Sequence, residues 1–143
     1  MSWPWRKDGL GRFDVVIAGC GLGFAPLARR WLAPALDHGG GLVLDADALT
    51  WLARDAVLAR RLARRPAGAT VMTPHPLEAA RLLGCDAAAV QRDRIGAALR
   101  LARRTGTVVV LKGSGTIVAD PRGHWAINDS GGPVLATAGT GDV

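Results

Sequence analysis

Residues 107–116 read TVVVLKGSGT. Thr107–Leu111 is the most apolar short run in the chain, of the length and composition of a strand buried on both faces. Lys112–Thr116, KGSGT, then bends the chain sharply, and a further strand begins. The pairing of a short apolar run with an unusual carboxyl end recurs upstream. Asp14–Ala18 (DVVIA) runs into Gly19–Gly23 (GCGLG), Leu42–Leu44 into Asp45-Ala46-Asp47, and Ala69–Met72 into Thr73-Pro74-His75-Pro76. Downstream, Gly115–Ala119 and His124–Ile127 read as a β-hairpin around Asp120-Pro121-Arg122-Gly123.

Helical patterns separate the strands. One helix follows GCGLG, with Pro26 in its first turn and Pro34 ending or kinking it. Helical periodicity covers Ala48–Arg54 and Asp55–Arg65. Another helix begins near Pro76, carries Glu78 in its first turn and closes at Gly84. A long one spans about Ala88–Arg104 and ends at Gly106. Alternating strands and helices predict an α/β fold, a mostly parallel sheet with helices on both faces. Ligands of such sheets bind beyond the carboxyl ends of the strands. GCGLG, DAD, TPHP and KGSGT all lie at those ends.

At 143 residues and 49% hydrophobic, the chain is one domain, residues 1–143, with enough apolar surface for a core. No apolar run approaches the roughly 20 residues of a membrane span. Met1–Arg12 has no apolar stretch resembling a secretory signal, so the cytoplasm is the expected location and no membrane partner is expected. The net charge is +6, and the only lysines are Lys7 and Lys112. Arginines such as Arg60, Arg61, Arg64 and Arg65 fall at helix-surface spacing, and no aromatic residues interleave with them as a stacking platform requires. No nucleic-acid partner is expected; anionic small molecules suit the charge. Cys20 and Cys85 have no metal-binding spacing and read as free thiols.

Each carboxyl-end segment has two readings. KGSGT is an ordinary strand–turn–strand, or a loop whose amides approach phosphate oxygens with Lys112 as a point charge; it lacks Walker A spacing. AGTGD, Ala138–Asp142, is a glycine-rich tail, or an anion-binding nest beside a carboxylate able to take a proton from a hydroxyl. His75 either contacts a ligand or caps the helix after it. Asp45 and Asp47 bind metal or substrate, or Asp47 is a helix N-cap. No cluster with metal-ligand spacing is present.

GCGLG, LDADAL, TPHPLE, LKGSGT and ATAGTGD, in that order, resemble the ADP- or ATP-dependent NAD(P)H-hydrate dehydratases of the ribokinase-like superfamily, from about Asp14 to Val143. GTGD alone marks only the superfamily; TPHP with a following Glu and the LKG-x-GT strand are more specific. The resemblance implies a ribokinase-like fold. It also implies repair of the S-epimer of NAD(P)H hydrate: a ring hydroxyl is phosphorylated by ADP or ATP, and phosphate then leaves, restoring NAD(P)H with AMP or ADP as co-product. By motif match Asp142 is the base, and Gly139, Thr140 and Gly141 form the anion hole. Lys112, Gly113, Ser114, Gly115, Thr116 and Gly141 bind the nucleotide, while Gly23, His75 and Asp142 contact the hydrated dinucleotide. Mg²⁺ bridges the phosphates. A homo-oligomer, or association with an epimerase domain, is the implied assembly.

The chain departs from the family at Cys20, where proline is usual, and at Leu77, where glycine is usual. Family members also extend before the strand at Asp14 and past GTGD into a helix. The 143 residues therefore read as an incomplete domain, expected to be inactive or nearly so by itself because chain ends fray. The alternatives are a ribokinase-like small-molecule kinase, which would not be expected to combine TPHP-x-E with LKG-x-GT, and a catalytically inactive nucleotide-binding remnant.

Overall fold

The computed structural model describes residues 9–128 and residue 130. Among these residues six strands form one sheet in chain order: β1 (Val15–Ala18), β2 (Gly41–Leu44), β3 (Thr70–Met72), β4 (Val108–Leu111), β5 (Thr116–Ala119) and β6 (Trp125–Asn128). β1 to β4 are parallel, and β5 and β6 are added antiparallel. The sheet is thus mostly parallel, with the expected hairpin at one edge. Among the described residues six α-helices accompany it: α1 (Pro26–Leu36), α2 (Asp47–Arg54), α3 (Ala56–Leu62), α4 (Pro76–Leu83), α5 (Ala87–Arg92) and α6 (Arg94–Thr105).

Directly paired strand residues project to the same face. The register therefore aligns Val16, Leu42, Leu44, Met72, Val109 and Leu111 on one face, and all six are buried. They join two cores beneath the helices. Leu32, Leu36, Leu49 and Leu58 pack over β1 to β3, and Val90, Ala98 and Leu101 over β4 and β5; Leu82 of α4 touches both cores. The other face carries Val15, Ile17, Val43, Val71, Val110 and Val118, none of which joins either core. Ile17 is 70% exposed and Val15 55%. The expectation of helices on both faces is therefore met on one face only among the described residues. The reason it was expected is still visible: the bare face is as apolar as a covered one.

Three local expectations are corrected. Pro34 does not end α1, which continues to Leu36. A helix-interior proline costs about 3 kcal/mol. Leu32, Ala35 and Leu36 are buried on either side of it, and a buried leucine returns about 1.5–3 kcal/mol, so packing carries the helix through. The long helix expected over Ala88–Arg104 is two, because Asp93 leaves helical geometry and its carboxylate accepts the Gly96 N–H at 2.9 Å, capping α6. The periodicity through Arg65 also overran: α3 ends at Leu62, its N-terminus capped by Asp55. Arg65, released from the helix, donates to the carbonyls of Leu36, His38 and Gly40 and to the Thr70 hydroxyl.

Candidate active site

The carboxyl ends of β1 to β4 lie side by side, and hydrogen bonds tie the four segments beyond them together. At the end of β1, Gly19 has φ +132, and a Cβ there would lie 1.8 Å from the Asp45 carbonyl oxygen. Only glycine lets the GCGLG turn and the DAD segment approach so closely. At the far end of the turn, Gly23 donates its N–H to Asp47 Oδ2 at 2.8 Å, and its carbonyl accepts from Trp51 Nε1 at 3.0 Å. Both backbone groups of Gly23 are therefore engaged by α2. Asp47 is not the N-cap expected from sequence: it is the first helical residue, and the cap position is Ala46, with no side-chain cap. Freed from capping, the Asp47 carboxylate holds Gly23. Ala46 has φ 48 and ψ −118, the only positive φ outside glycine among the described residues. Such backbone strain costs about 1–3 kcal/mol and persists where surroundings over-determine it.

Asp45 links β2 to β4. Its Oδ1 accepts from Lys112 Nζ at 2.8 Å and from the Ala46 N–H at 2.8 Å. Burial by itself would raise the Asp45 pKa. The hydrogen bonds from Lys112 and Ala46, the Lys112 charge and the Thr73 hydroxyl outweigh that and hold it below its ordinary value. Lys112 is thus a neutralised cation, not a free point charge. Its N–H bonds the Pro74 carbonyl at 2.8 Å, joining KGSGT to TPHP.

His75 caps α4. Its Nδ1 accepts from the Leu77 and Glu78 N–H groups at 3.2 and 3.3 Å, and the buried Glu78 carboxylate accepts the His75 N–H at 2.8 Å. This is a reciprocal capping box with histidine in the serine role. Because Nδ1 is an acceptor, the neutral ring carries its proton on Nε2, which lies 3.4 Å from Glu78 Oε1. The capping alternative is realised, and about half of the side chain stays exposed.

The KGSGT loop has a partner that sequence reasoning missed. Arg94, first residue of α6, donates to the Ser114 carbonyl at 2.6 Å and the Gly115 carbonyl at 3.2 Å, with longer contacts to Leu111 and Lys112 at 3.4 Å. Thr116 Oγ1 bonds the Gly113 carbonyl at 3.0 Å. A signal was available: a cation in the first helical turn opposes the helix dipole, so an arginine directly after a capping aspartate needs some other reason to be there.

The structure therefore brings Gly23, His75 and Lys112–Thr116 to one edge, together with Asp45 and Asp47. The Asp142 base and the Gly139–Gly141 segment lie outside the described residues. No group of three metal-ligating side chains occurs among the described residues. A magnesium ion carried by nucleotide phosphates needs only one or two protein carboxylates; the carboxylates at this edge are Asp45, whose Oδ1 is engaged by Lys112, and Asp47, whose Oδ2 is engaged by the Gly23 N–H. A hollow of about 770 Å³ lies beside the site, lined by β1, Gly19–Leu22 and α1.

The sequence profile of the NAD(P)H-hydrate dehydratases matches residues 4–143. The chain belongs to the NAD(P)H-hydrate dehydratase family. An ADP-dependent (S)-NAD(P)H-hydrate dehydratase from Neisseria meningitidis is 48% identical over 129 residues, 89% of this chain and 43% of that protein. A bifunctional NAD(P)H-hydrate repair enzyme from Escherichia coli is 42% identical over 130 residues, 91% of this chain and 24% of that protein. Among solved structures, an ADP/ATP-dependent NAD(P)H-hydrate dehydratase from Bacillus subtilis, co-crystallised with ATP and Mg²⁺ and soaked with CoA, aligns with TM-score 0.73 at 29% identity, covering 96% of this chain and 51% of that one. A ribokinase-like superfamily protein from Enterococcus faecalis aligns with TM-score 0.78 at 27% identity, covering 95% and 46%. The ribokinase-like fold expected from the motifs is thus observed. This member of the family spans about half the length of its structural relatives, and less of the bifunctional ones.

Proposed function

We propose that this chain carries the nucleotide- and substrate-binding edge of an ADP- or ATP-dependent dehydratase acting on the S-epimer of NAD(P)H hydrate. The observation that carries the reading is the hydrogen-bonded convergence of GCGLG, DAD, TPHP and KGSGT at one sheet edge, in a chain of this family. KGSGT receives the phosphates of the adenine nucleotide. His75, whose side chain is about half exposed, and the GCGLG turn meet the hydrated dinucleotide. Asp142 takes the proton from the ring hydroxyl as the phosphoryl group arrives, and amides of Gly139, Thr140 and Gly141 receive the developing charge. Phosphate then departs with the C–O electron pair, the neighbouring ring carbon gives up a proton to solvent, and the ring double bond is restored, leaving NAD(P)H with AMP or ADP. Mg²⁺, bound with the nucleotide, would supply charge neutralisation on the phosphates, with Asp45 and Asp47 the carboxylates proposed to hold it. Among the described residues no helix is long and apolar enough to cross a membrane, which suits work in the cytoplasm. Pairing with an epimerase domain fits the bifunctional relatives, and self-association is open to the bare sheet face.

Two measurements test the reading. ADP and ATP, each with Mg²⁺, are titrated into the 143-residue chain; absence of binding to either removes the nucleotide site. Turnover of hydrated NADH with each nucleotide is then followed by NADH absorbance, in the chain and in a version extended with family-like N-terminal strands and a C-terminal helix. In the extended form, Asp142→Asn is expected to lower the rate by roughly 10²–10⁴-fold with nucleotide affinity nearly unchanged. A near-normal rate would take Asp142 out of the mechanism.

A further inference from the structure

The backbone of the KGSGT loop divides into two sets of groups with opposite fates. Every carbonyl from Leu111 to Gly115 is engaged by a side chain, four by the Arg94 guanidinium and that of Gly113 by Thr116. The N–H groups of Gly113, Ser114 and Gly115 donate to no described residue. A loop of consecutive unpaired amides is an anion nest, but the same glycines that permit it leave the peptide planes free to turn. Whatever fixes the carbonyls fixes the amides, because each pair shares a planar peptide.

Arg94 is built for that task. Its planar fork spans several acceptors at once, which a single ammonium cannot do. It packs directly on Gly113, where φ is +140 and a Cβ would lie 2.9 Å from Nη2, so the glycine and the guanidinium need one another. The Arg94 Nε is buried without a partner, and the residue stands at the first position of α6, against the helix dipole. Both are local costs, incurred at a residue whose remaining donors all go to the loop or its approach.

We propose that Arg94 is a positioning residue for phosphate recognition: it gathers the carbonyls of Leu111–Gly115 and so presents the Gly113, Ser114 and Gly115 amides to the phosphates of an adenine nucleotide. This rests on the nucleotide-binding reading of KGSGT given above. It differs from a charge effect, because the guanidinium acts through the peptide planes, with both terminal nitrogens already turned to carbonyls of the loop and its approach.

The test is titration of Mg²⁺-ADP and Mg²⁺-ATP into the wild-type chain and Arg94→Lys, Arg94→Met and Gly113→Ala variants, below the melting temperature of each as fixed by circular dichroism. The expected result is a loss of about tenfold or more in affinity in all three, the scale of one lost charge-assisted hydrogen bond. Arg94→Lys should not rescue Arg94→Met. Amide shifts of Gly113, Ser114 and Gly115 should move in the free variants while those of β3 stay. Full affinity in Arg94→Lys with loss in Arg94→Met would make this general electrostatics and overturn the positioning role. Wild-type affinity in every variant would overturn it outright and leave the nucleotide site standing. Failure of the wild-type chain to bind either nucleotide would overturn both readings, and is distinguished by involving no variant.

Discussion

Val43 and Leu44 are neighbours in β2, yet they live in different environments. Leu44 is fully buried between β1 and β3 and under the helices. Val43 points to the bare face, beside Ile17 and Val71, and belongs to neither core. Burial, not composition, distinguishes the two faces, since both are lined by aliphatic side chains. The difference shows where this chain's own stability resides. One face is packed and contributes to folding; the other is a surface that composition marks as interior but whose residues join neither core beneath the described helices. Large contiguous apolar surface, where it stays exposed, in general marks an interaction surface or an aggregation liability.

The largest expected effect breaks the comparison open. Leu44→Ala should cost about 2–5 kcal/mol, the range for truncating a fully buried leucine. Val43→Ala should cost less than about 1 kcal/mol, because no helix packs on it. Urea unfolding of the two variants checks this. Equal losses would mean that the second face is covered in solution, by self-association or by residues outside the described set, and dilution would separate those cases.

That same comparison marks how far the sequence could be read. The strand positions were legible because apolar runs such as LVL and VVVL are short and end in polar or glycine-rich segments. The parallel order followed from the helices between them. The bare face was not legible, since a continuous apolar run says that both sides suit burial but not that both are buried. Asp93 divides two helices with one carboxylate, invisible against an Ala- and Arg-rich periodicity that continues across it. In the site, the convergence of Gly23, His75 and Lys112 was readable from topology, but the pairings were not. Lys112 meets Asp45 across 67 residues of sequence, and Arg94 reaches the loop from another element. Such contacts depend on where helices pack, which local pattern does not encode.

A middle-sized effect sharpens the comparison at the sheet's carboxyl edge, where α4 is anchored to the covered face. His75→Ala removes the acceptor of the Leu77 and Glu78 amides and half of a capping box. The expected loss is about 0.5–2 kcal/mol, between those of Leu44→Ala and Val43→Ala. His75→Asn keeps a capping oxygen and should recover most of it. Chemical denaturation gives both values. If His75→Asn is as stable as wild type yet binds hydrated dinucleotide poorly, the ring has a ligand role beyond the cap. If both variants match wild type in stability, the cap is idle.

The smallest effect tests whether the ties across the edge matter beside the packing beneath it. Asp45 and Lys112 form an ion pair with 27% and 42% side-chain exposure, so solvent screening holds its worth to about 0–1 kcal/mol. The pKa of Asp45 is lowered in the folded protein. A lowered folded-state value means that the unfolded chain binds the proton first, so the stabilisation is complete above the unfolded value, near 3.8, and is lost as pH falls through the folded one. Asp45→Asn removes the ion pair at every pH. Wild type should therefore melt slightly above Asp45→Asn at neutral pH, and the gap should close as pH drops below about 4. Other lowered carboxylates, Asp55 and Asp93 among them, destabilise both proteins alike in acid, so the difference between the two melting curves isolates Asp45. A gap independent of pH would show that the aspartate serves through hydrogen bonds an amide can replace in kind. A gap that widens in acid would mean that its folded-state pKa is raised, with burial outweighing Lys112.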